Sequence, residues 1–313
     1  MTVFDVNMTA RDGRSAGEFA SRTGPYQKDV RPQNNVRSKS TALKSARQTT
    51  LNSDVRLEGI GVHSGNPSCI ILHPAESGSG ITFLRRAEGD QIDQLIPAHV
   101  SNVGDTRLCT VLGDPEDMYV ATVEHLLAAL RGMNVDNVLI EIDAAEVPVM
   151  DGSSGAFVDA IRMVGTRKQS APRRYIRVLR QVEASHGKAH AVLRPHDGTR
   201  FDIEIDFESE AIGHQRFITE LTPEVFARDI SRARTFGFLA EAKQLRAMGL
   251  AQGSSFDNSV VIDEDRVLNV EGLRYEDEFV RHKLLDAIGD LALAGSQILG
   301  EYKSVCGGHK LNS

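Results

Sequence analysis

The sequence predicts an α+β fold of two domains with similar layouts, each a β-sheet layered with helices. The chain has 313 residues, about twice the size of a common single domain. Segments with strand patterns precede segments with helical patterns, and this order occurs twice. A polar, basic stretch at 166–173 lies between the two runs and contains Pro172, so we expect a linker there.

The predicted domains cover residues 49–168 and 173–313 and follow a basic extension at 1–48. The extension carries nine Lys or Arg and four acidic residues, a formal charge of +5, whereas the rest of the chain carries −12. Because the extension shows no apolar period, we expect it to be disordered. Its basic, serine-containing composition leaves an organellar transit peptide as an alternative to a cytoplasmic protein.

In the first domain, apolar and alternating runs predict strands at 55–63, 68–72 and 80–85. Thr122 is expected to cap a helix whose apolar residues recur at helical spacing and which ends at Gly132. A strand at 138–142 and a helix at 153–164 follow in the predicted order.

In the second domain, strands are predicted at 175–184, 188–194 and 200–207, and we expect them to form a three-stranded meander. Further predicted elements are helices at 223–229 and 238–248, a strand at 259–262, and the longest helix of the chain at 276–294.

Composition excludes several classes of protein. No run approaches 18 apolar residues, which argues against a transmembrane helix. Three scattered cysteines do not make a disulfide framework and suit a reducing compartment. Aromatic residues make up only 5% of the chain and Trp is absent, and the −12 charge after residue 48 repels phosphates, so we expect no nucleic-acid partner.

The predicted long helix carries a pattern suited to metal ligation. His282, Asp286 and Asp290 recur every four residues and share one helix face. Imidazole nitrogen and carboxylate oxygen both suit Zn²⁺. The opposite stripe is apolar, so we expect this polar face to lie outside the core. A surface ion pair is the alternative interpretation.

Two further motifs add candidate residues. His125 would complete a three-ligand site, and Glu124 would lie beside the metal without binding it, as a general base must. The positive end of a helix dipole also explains Glu124. His309 follows two glycines and is a candidate electrophile for a developing oxyanion, or alternatively an exposed loop residue.

Six strings in a fixed order closely resemble the UDP-3-O-acyl-N-acetylglucosamine deacetylases, the zinc amidases of lipid A synthesis. The resemblance runs from about residue 49 to the last residue. The strings are DTRLCT (105–110), TVEHL (122–126), PVMDGS (148–153), SRARTFGF (231–238), FVRHKLLDAIGD (279–290) and GHKLN (308–312).

The resemblance implies an active site at the interface of the two domains. It implies that His125 from the first domain and His282 and Asp286 from the second bind Zn²⁺, with Fe²⁺ as the alternative metal. Glu124 matches the general base of the family, and His309 matches its charged catalytic histidine.

The resemblance also implies the remaining roles. Asp290 orients His309, and Thr235 lies near the oxyanion. The implied substrate-binding residues are Lys283, Phe236, Phe238 and Lys303. Phe236 and Lys283 match positions around the sugar and diphosphate, and Phe238 begins a segment that holds the acyl chain. Lys303 is displaced by three residues from the lysine that the family commonly places at the diphosphate.

The implied reaction is hydrolysis of the N-acetyl group of UDP-3-O-acyl-N-acetylglucosamine, giving the free amine and acetate. A cytoplasmic monomer from a Gram-negative type of bacterium is expected, with at most a transient contact with a membrane surface. Because family members usually continue with a helix after the last motif, the second domain is expected to lack that helix. Two alternatives remain: a catalytically impaired paralogue that binds the acylated nucleotide or a protein partner, and a zinc amidase for another N-acyl sugar.

Overall fold

A computed structural model describes residues 46–87 and 92–313. The predicted disordered extension lies almost entirely outside the described residues. The strands of the first half are β1 (Arg47–Leu51), β2 (Val55–Ile60), β3 (Pro67–Pro74), β4 (Ile81–Arg85), β5 (Gln94–Pro97), β6 (Val103–Asp105), β7 (Val111–Gly113), β8 (Tyr119–Val120), β9 (Val138–Ile142) and β10 (Thr166–Pro172). Those of the second half are β11 (Tyr175–Arg177), β12 (Val182–His186), β13 (Ala189–Arg194), β14 (Thr199–Asp206), β15 (His214–Glu220), β16 (Phe236–Phe238), β17 (Val260–Asp263), β18 (Arg266–Val267) and β19 (Gln297–Val305).

The helices are α1 (Glu124–Gly132), α2 (Gly155–Val164), α3 (Pro223–Val225), α4 (Leu239–Ala247), α5 (Glu278–Leu291) and α6 (His309–Asn312). Short 3₁₀ turns occupy Val100–Asn102 and Ala292–Ala294, and a π turn occupies Phe226–Ile230. Among the described helices, none has the length and apolar content needed to cross a membrane.

Two sheets repeat one topology, which confirms the predicted α+β class and the similar layout of the two halves. The spatial orders are β2-β3-β9-β4-β5 and β12-β13-β19-β14-β15. In both sheets the strand that comes last in sequence lies at the centre. There it runs antiparallel to the second strand and parallel to the third. β11 extends the second sheet by pairing with β19.

Two predictions are wrong, one about how strands pair and one about a segment expected to be a linker. The expected meander of the second half does not form, because β19 lies between β13 and β14. The expected linker at 166–173 instead contains β10, which pairs antiparallel with β1. Local alternation identifies a segment as a strand, but its partner depends on residues more than 100 positions away.

Helices α1 and α5 pack against each other in the middle of one continuous apolar core. They approach so closely that a Cβ atom on Gly289 would lie 2.0 Å from the backbone oxygen of Glu124. The expectation that one face of α5 lies outside the core is wrong, since His282, Asp286 and Asp290 are at most 1% exposed. The polar face of α5 is therefore buried against α1.

The turn before α1 also differs from the prediction. Thr122 has a left-handed φ of 57° and does not cap the helix, which begins at Glu124. Its hydroxyl instead donates to Glu146 Oε1 at 2.9 Å. The buried Glu146 carboxylate also accepts the backbone N–H groups of His63 and Ser64, each at 2.9 Å. This carboxylate satisfies donors of two separate loops and holds the entry to α1 in place.

Candidate active site

Three buried side chains from α1 and α5 converge on one point. The ligand atoms of His125, His282 and Asp286 all lie within 4.8 Å of one another. The Nε2 atoms of the two histidines lie 3.5 and 3.3 Å from Asp286 Oδ1. In a tetrahedral site with bonds of about 2.0–2.1 Å, neighbouring ligand atoms are about 3.3 Å apart, so this spacing suits Zn²⁺.

The protonation of His282 also suits a metal. His282 Nδ1 donates to the backbone oxygen of Ala233 at 2.9 Å, and a carbonyl oxygen only accepts, so Nε2 keeps its lone pair. Burial holds the pKa of His282 well below its usual value, so the imidazole is neutral. Ser154 Oγ donates to the backbone oxygen of His125 at 2.7 Å and holds the first turn of α1.

Glu124 precedes a ligand and points into the same space. Its carboxylate is fully buried, and Oε2 accepts the backbone N–H of Thr110 at 3.1 Å. Oε1 has no hydrogen-bond partner within residues 46–87 and 92–313. A buried carboxylate oxygen without a donor is positioned to accept a proton from water or substrate.

His309 faces Glu124 from the second half of the chain. It is the first residue of α6 and is only 2% exposed, so the exposed-loop alternative is wrong. Its Nδ1 donates to Asp290 Oδ2 at 3.0 Å, and its Nε2 lies 3.8 Å from Glu124 Oε1. Burial disfavours the charged form, but the Asp290 and Glu124 carboxylates outweigh burial and raise the pKa of His309.

The structure places two other predicted residues beside these groups. Lys283 is 6% exposed, and its Nζ lies 3.3 Å from Asp286 Oδ2. Thr235 is 2% exposed and follows the segment whose Ala233 oxygen orients His282. The backbone N–H of Thr235 donates to the backbone oxygen of Gly152 at 2.8 Å. This hydrogen bond joins the segment to the PVMDGS turn of the first half.

The two predicted phenylalanines have different surroundings. Phe236 is fully buried and packs edge-to-face on Phe279 at 4.9 Å and on His282 at 6.3 Å between ring centroids. The Phe236 ring therefore packs against a predicted metal ligand, and its expected contact with the sugar stays a prediction. Phe238 is half-buried and lies directly before α4.

The helix α4 belongs to an element that docks on the first half of the chain. The backbone N–H groups of Gln252 and Gly253 donate to the backbone oxygens of His63 and Val62, at 3.0 and 3.1 Å respectively. Met248, at the end of α4, is 72% exposed.

The structure does not bring Lys303 to this site. Tyr302, its neighbour on β19, points toward α6, where its hydroxyl donates to Asn312. Because successive strand residues point to opposite faces, Lys303 faces the other side of the sheet. There it lies opposite Asp202 of β14. The expected contact of Lys303 with the diphosphate stays a prediction, which this placement does not favour.

Sequence reasoning missed several residues that hold this arrangement. Thr110 bonds Glu124 and Asp290, Asn312 Nδ2 donates to Asp290 Oδ2 at 2.8 Å, and the Ala233 oxygen orients His282. Thr110 and Asn312 end two of the strings singled out in the sequence, so position in a motif was an available signal. A backbone carbonyl leaves no such signal.

Comparison with known proteins identifies the family. Residues 48–313 match the family LpxC, described as UDP-3-O-acyl N-acetylglycosamine deacetylase. The chain belongs to this family. Relatives from Brucella ovis, Brucella canis and Brucella melitensis are each 47% identical over 270 residues, which cover 86% of this chain and 93% of the relative. Each is named UDP-3-O-acyl-N-acetylglucosamine deacetylase.

The LpxC match spans all six strings and both repeated sheets. The family is one of metalloenzymes, and the His125–His282–Asp286 cluster is a group in this chain that can hold a metal. The identification made from the strings is thereby confirmed.

Proposed function

We propose that this protein hydrolyses the N-acetyl group of UDP-3-O-acyl-N-acetylglucosamine, a step of lipid A synthesis, with Zn²⁺ as its native metal. One observation carries the proposal. Two buried histidines and a carboxylate with tetrahedral spacing adjoin Glu124 Oε1 and His309 Nε2, both of which lack hydrogen-bond partners in the described ranges. The names of the LpxC relatives supply the substrate.

His125, His282 and Asp286 would hold the metal. Bound Zn²⁺ supplies Lewis acidity, which polarises a carbonyl and strengthens water as a nucleophile. The chain contributes two imidazoles and one carboxylate, a donor set typical of catalytic zinc sites. Lys283 places a positive charge beside Asp286 Oδ2 and helps keep that carboxylate ionised.

Glu124 acts as the general base. Its Oε1 takes a proton from water as the water oxygen bonds to the acetyl carbonyl carbon. The C–N bond then breaks, and the proton passes from Glu124 to the leaving amine. The products are acetate and the free amine of the acylated sugar nucleotide.

His309 stabilises the oxyanion that develops on the acetyl oxygen. Because Nδ1 donates to Asp290, the protonated ring presents its Nε2–H to the reacting group. A donor preorganised in a buried site contributes about 3 kcal/mol to transition-state stabilisation. We assign Thr235 a second donor role at the same oxygen.

The substrate lies between the two halves of the chain in this proposal. Domains at 49–168 and 173–313 contribute Glu124 and His309 to opposite sides of it. Phe238 and the exposed Met248 after α4 contact the acyl chain, and Lys283 contacts the sugar and diphosphate. We further propose that the enzyme works as a cytoplasmic monomer.

The test measures acetate release from UDP-3-O-acyl-N-acetylglucosamine by the full chain, with and without chelator. Glu124→Gln is expected to retain Zn²⁺ and to lose about 10²–10⁴-fold in kcat. The exposed Glu116 provides a matched control, since Glu116→Gln changes the same group away from the site. Chelator-resistant acetate release, or equal rates for the two variants, would refute the proposal.

Substrate comparison tests the specificity. Removing the UDP or the O-acyl chain is expected to lower kcat/KM strongly, because both groups supply binding energy for the reaction. Equal kcat/KM for a simple N-acetyl sugar would instead support an amidase for another substrate.

A further inference from the structure

Thr110 contacts both sides of the catalytic arrangement. It is fully buried and precedes β7. Its backbone N–H donates to Glu124 Oε2 at 3.1 Å, and its hydroxyl donates to Asp290 Oδ1 at 2.6 Å. One residue therefore bonds the general base on α1 and the partner of His309 on α5, which lies 180 positions later in the chain.

The Thr110 hydroxyl completes the set of donors around Asp290. Asp290 Oδ2 accepts His309 Nδ1 at 3.0 Å and Asn312 Nδ2 at 2.8 Å. Among the residues that the structure describes, Thr110 is the donor to the other oxygen, Oδ1. A buried carboxylate that accepts several hydrogen bonds keeps one orientation. That orientation sets the ring plane of His309.

The backbone of Thr110 has a complementary effect on the base. Because Oε2 of Glu124 is held by this N–H, Oε1 is the oxygen that faces His309 Nε2, 3.8 Å away. The space between these two atoms is where water and the acetyl group must meet in the proposed reaction. Its width depends on both contacts of Thr110.

We propose that Thr110 is a positioning residue of the reaction, which fixes the separation of Glu124 and His309 through its N–H and its hydroxyl. This inference rests on the proposed function. Thr110 is fully buried and bonds Glu124 and Asp290 rather than the substrate. The inference therefore requires loss of its hydroxyl to lower kcat rather than to weaken substrate binding.

Thr110→Val removes the hydroxyl, keeps the side-chain shape and leaves the backbone N–H in place. We expect kcat to fall about 10–100-fold, as for other hydrogen-bonded supports of catalytic groups, with KM within about twofold of wild type. Thr110→Ser restores the hydroxyl and is expected to recover kcat to within about threefold. Zinc content stays at the wild-type level in both variants, because no metal ligand is bonded by this hydroxyl.

Thr50 offers a matched control for the loss of a buried hydroxyl. Thr50 lies on β1, away from the site, and is fully buried. Its Oγ1 accepts the backbone N–H of Ala75 at 2.9 Å. Thr50→Val is expected to lower thermal stability as much as Thr110→Val while leaving kcat within about twofold of wild type.

Three results would overturn the inference: equal kcat for the Thr110→Val and Thr50→Val variants, a fall in kcat matched by loss of zinc, or no recovery in Thr110→Ser. These results require an active wild-type enzyme. Absence of chelator-sensitive turnover in the wild type would refute the proposed function instead, so the two failures are distinguishable.

Discussion

Gly289→Ala is expected to separate catalytic activity from stability. The added Cβ would lie 2.0 Å from the backbone oxygen of Glu124 and 3.0 Å from its Cα, whereas ordinary contacts begin at 3.4 Å. The backbones of α1 and α5 must therefore move apart by about 1.4 Å at this point. Overpacking costs about 1–3 kcal/mol, and the better helix propensity of alanine offsets about 1 kcal/mol of that.

The same displacement acts directly on the base and on the metal cluster, since Glu124 and His125 lie on the helix that moves. A misplacement of about 1 Å can cost about 100-fold in rate. We therefore expect kcat to fall about 100-fold while the melting temperature falls by no more than about 5 °C. Acetate release and thermal unfolding, measured on the same zinc-loaded preparation, check the two numbers.

Gly132→Ala is the matched control. Its Cβ would lie 2.3 Å from the Phe226 ring, but Gly132 is eight residues from Glu124, about 12 Å along the helix. A similar loss of stability with kcat within about threefold of wild type is expected. If Gly289→Ala kept wild-type kcat, or if both variants lost activity equally, the close approach of the helices would not determine the position of the base.

Four further predictions follow from other contacts. Asp290 raises the pKa of His309, so Asp290→Asn should move the alkaline limb of kcat/KM to lower pH. The raised pKa also makes His309 stabilising below pH about 6.5, and this stabilisation should fade as pH rises through the folded-state pKa. Glu278→Gln breaks a buried pair with Arg234 at 2.9 Å and should lower the free energy of unfolding by about 3 kcal/mol in urea denaturation. Lys303→Met should leave KM for the nucleotide substrate within about twofold of wild type, since Lys303 faces away from the site.

Each of these predictions has an outcome that contradicts it. An unchanged alkaline limb in Asp290→Asn would remove His309 as the group that titrates there. A wild-type urea midpoint for Glu278→Gln would mean that the buried pair is replaceable by a neutral hydrogen bond. A large rise in KM for Lys303→Met would place this lysine at the diphosphate after all, and would require β19 to present the face that the structure directs away.

The sequence by itself determined the local features of this protein. Strand patterns precede helical patterns twice along the chain, and this order predicted the α+β class. The repeated strand order of the two sheets confirms it. The spacing of His282 and Asp286 placed them on one helix face, because four residues make about one helical turn. These properties depend on residues near each other in the chain, so the chain shows them directly.

The tertiary structure alone decided how distant segments combine. It placed β19 between β13 and β14, paired β10 with β1, and turned Lys303 to the far face of its sheet. It also buried the polar face of α5 against α1. There the missing side chain of Gly289 leaves room for the backbone of Glu124, and the Thr110 hydroxyl donates to Asp290. The physical reason is that strand pairing, helix contact and burial are set by packing between residues more than 100 positions apart, whose partners no local period specifies.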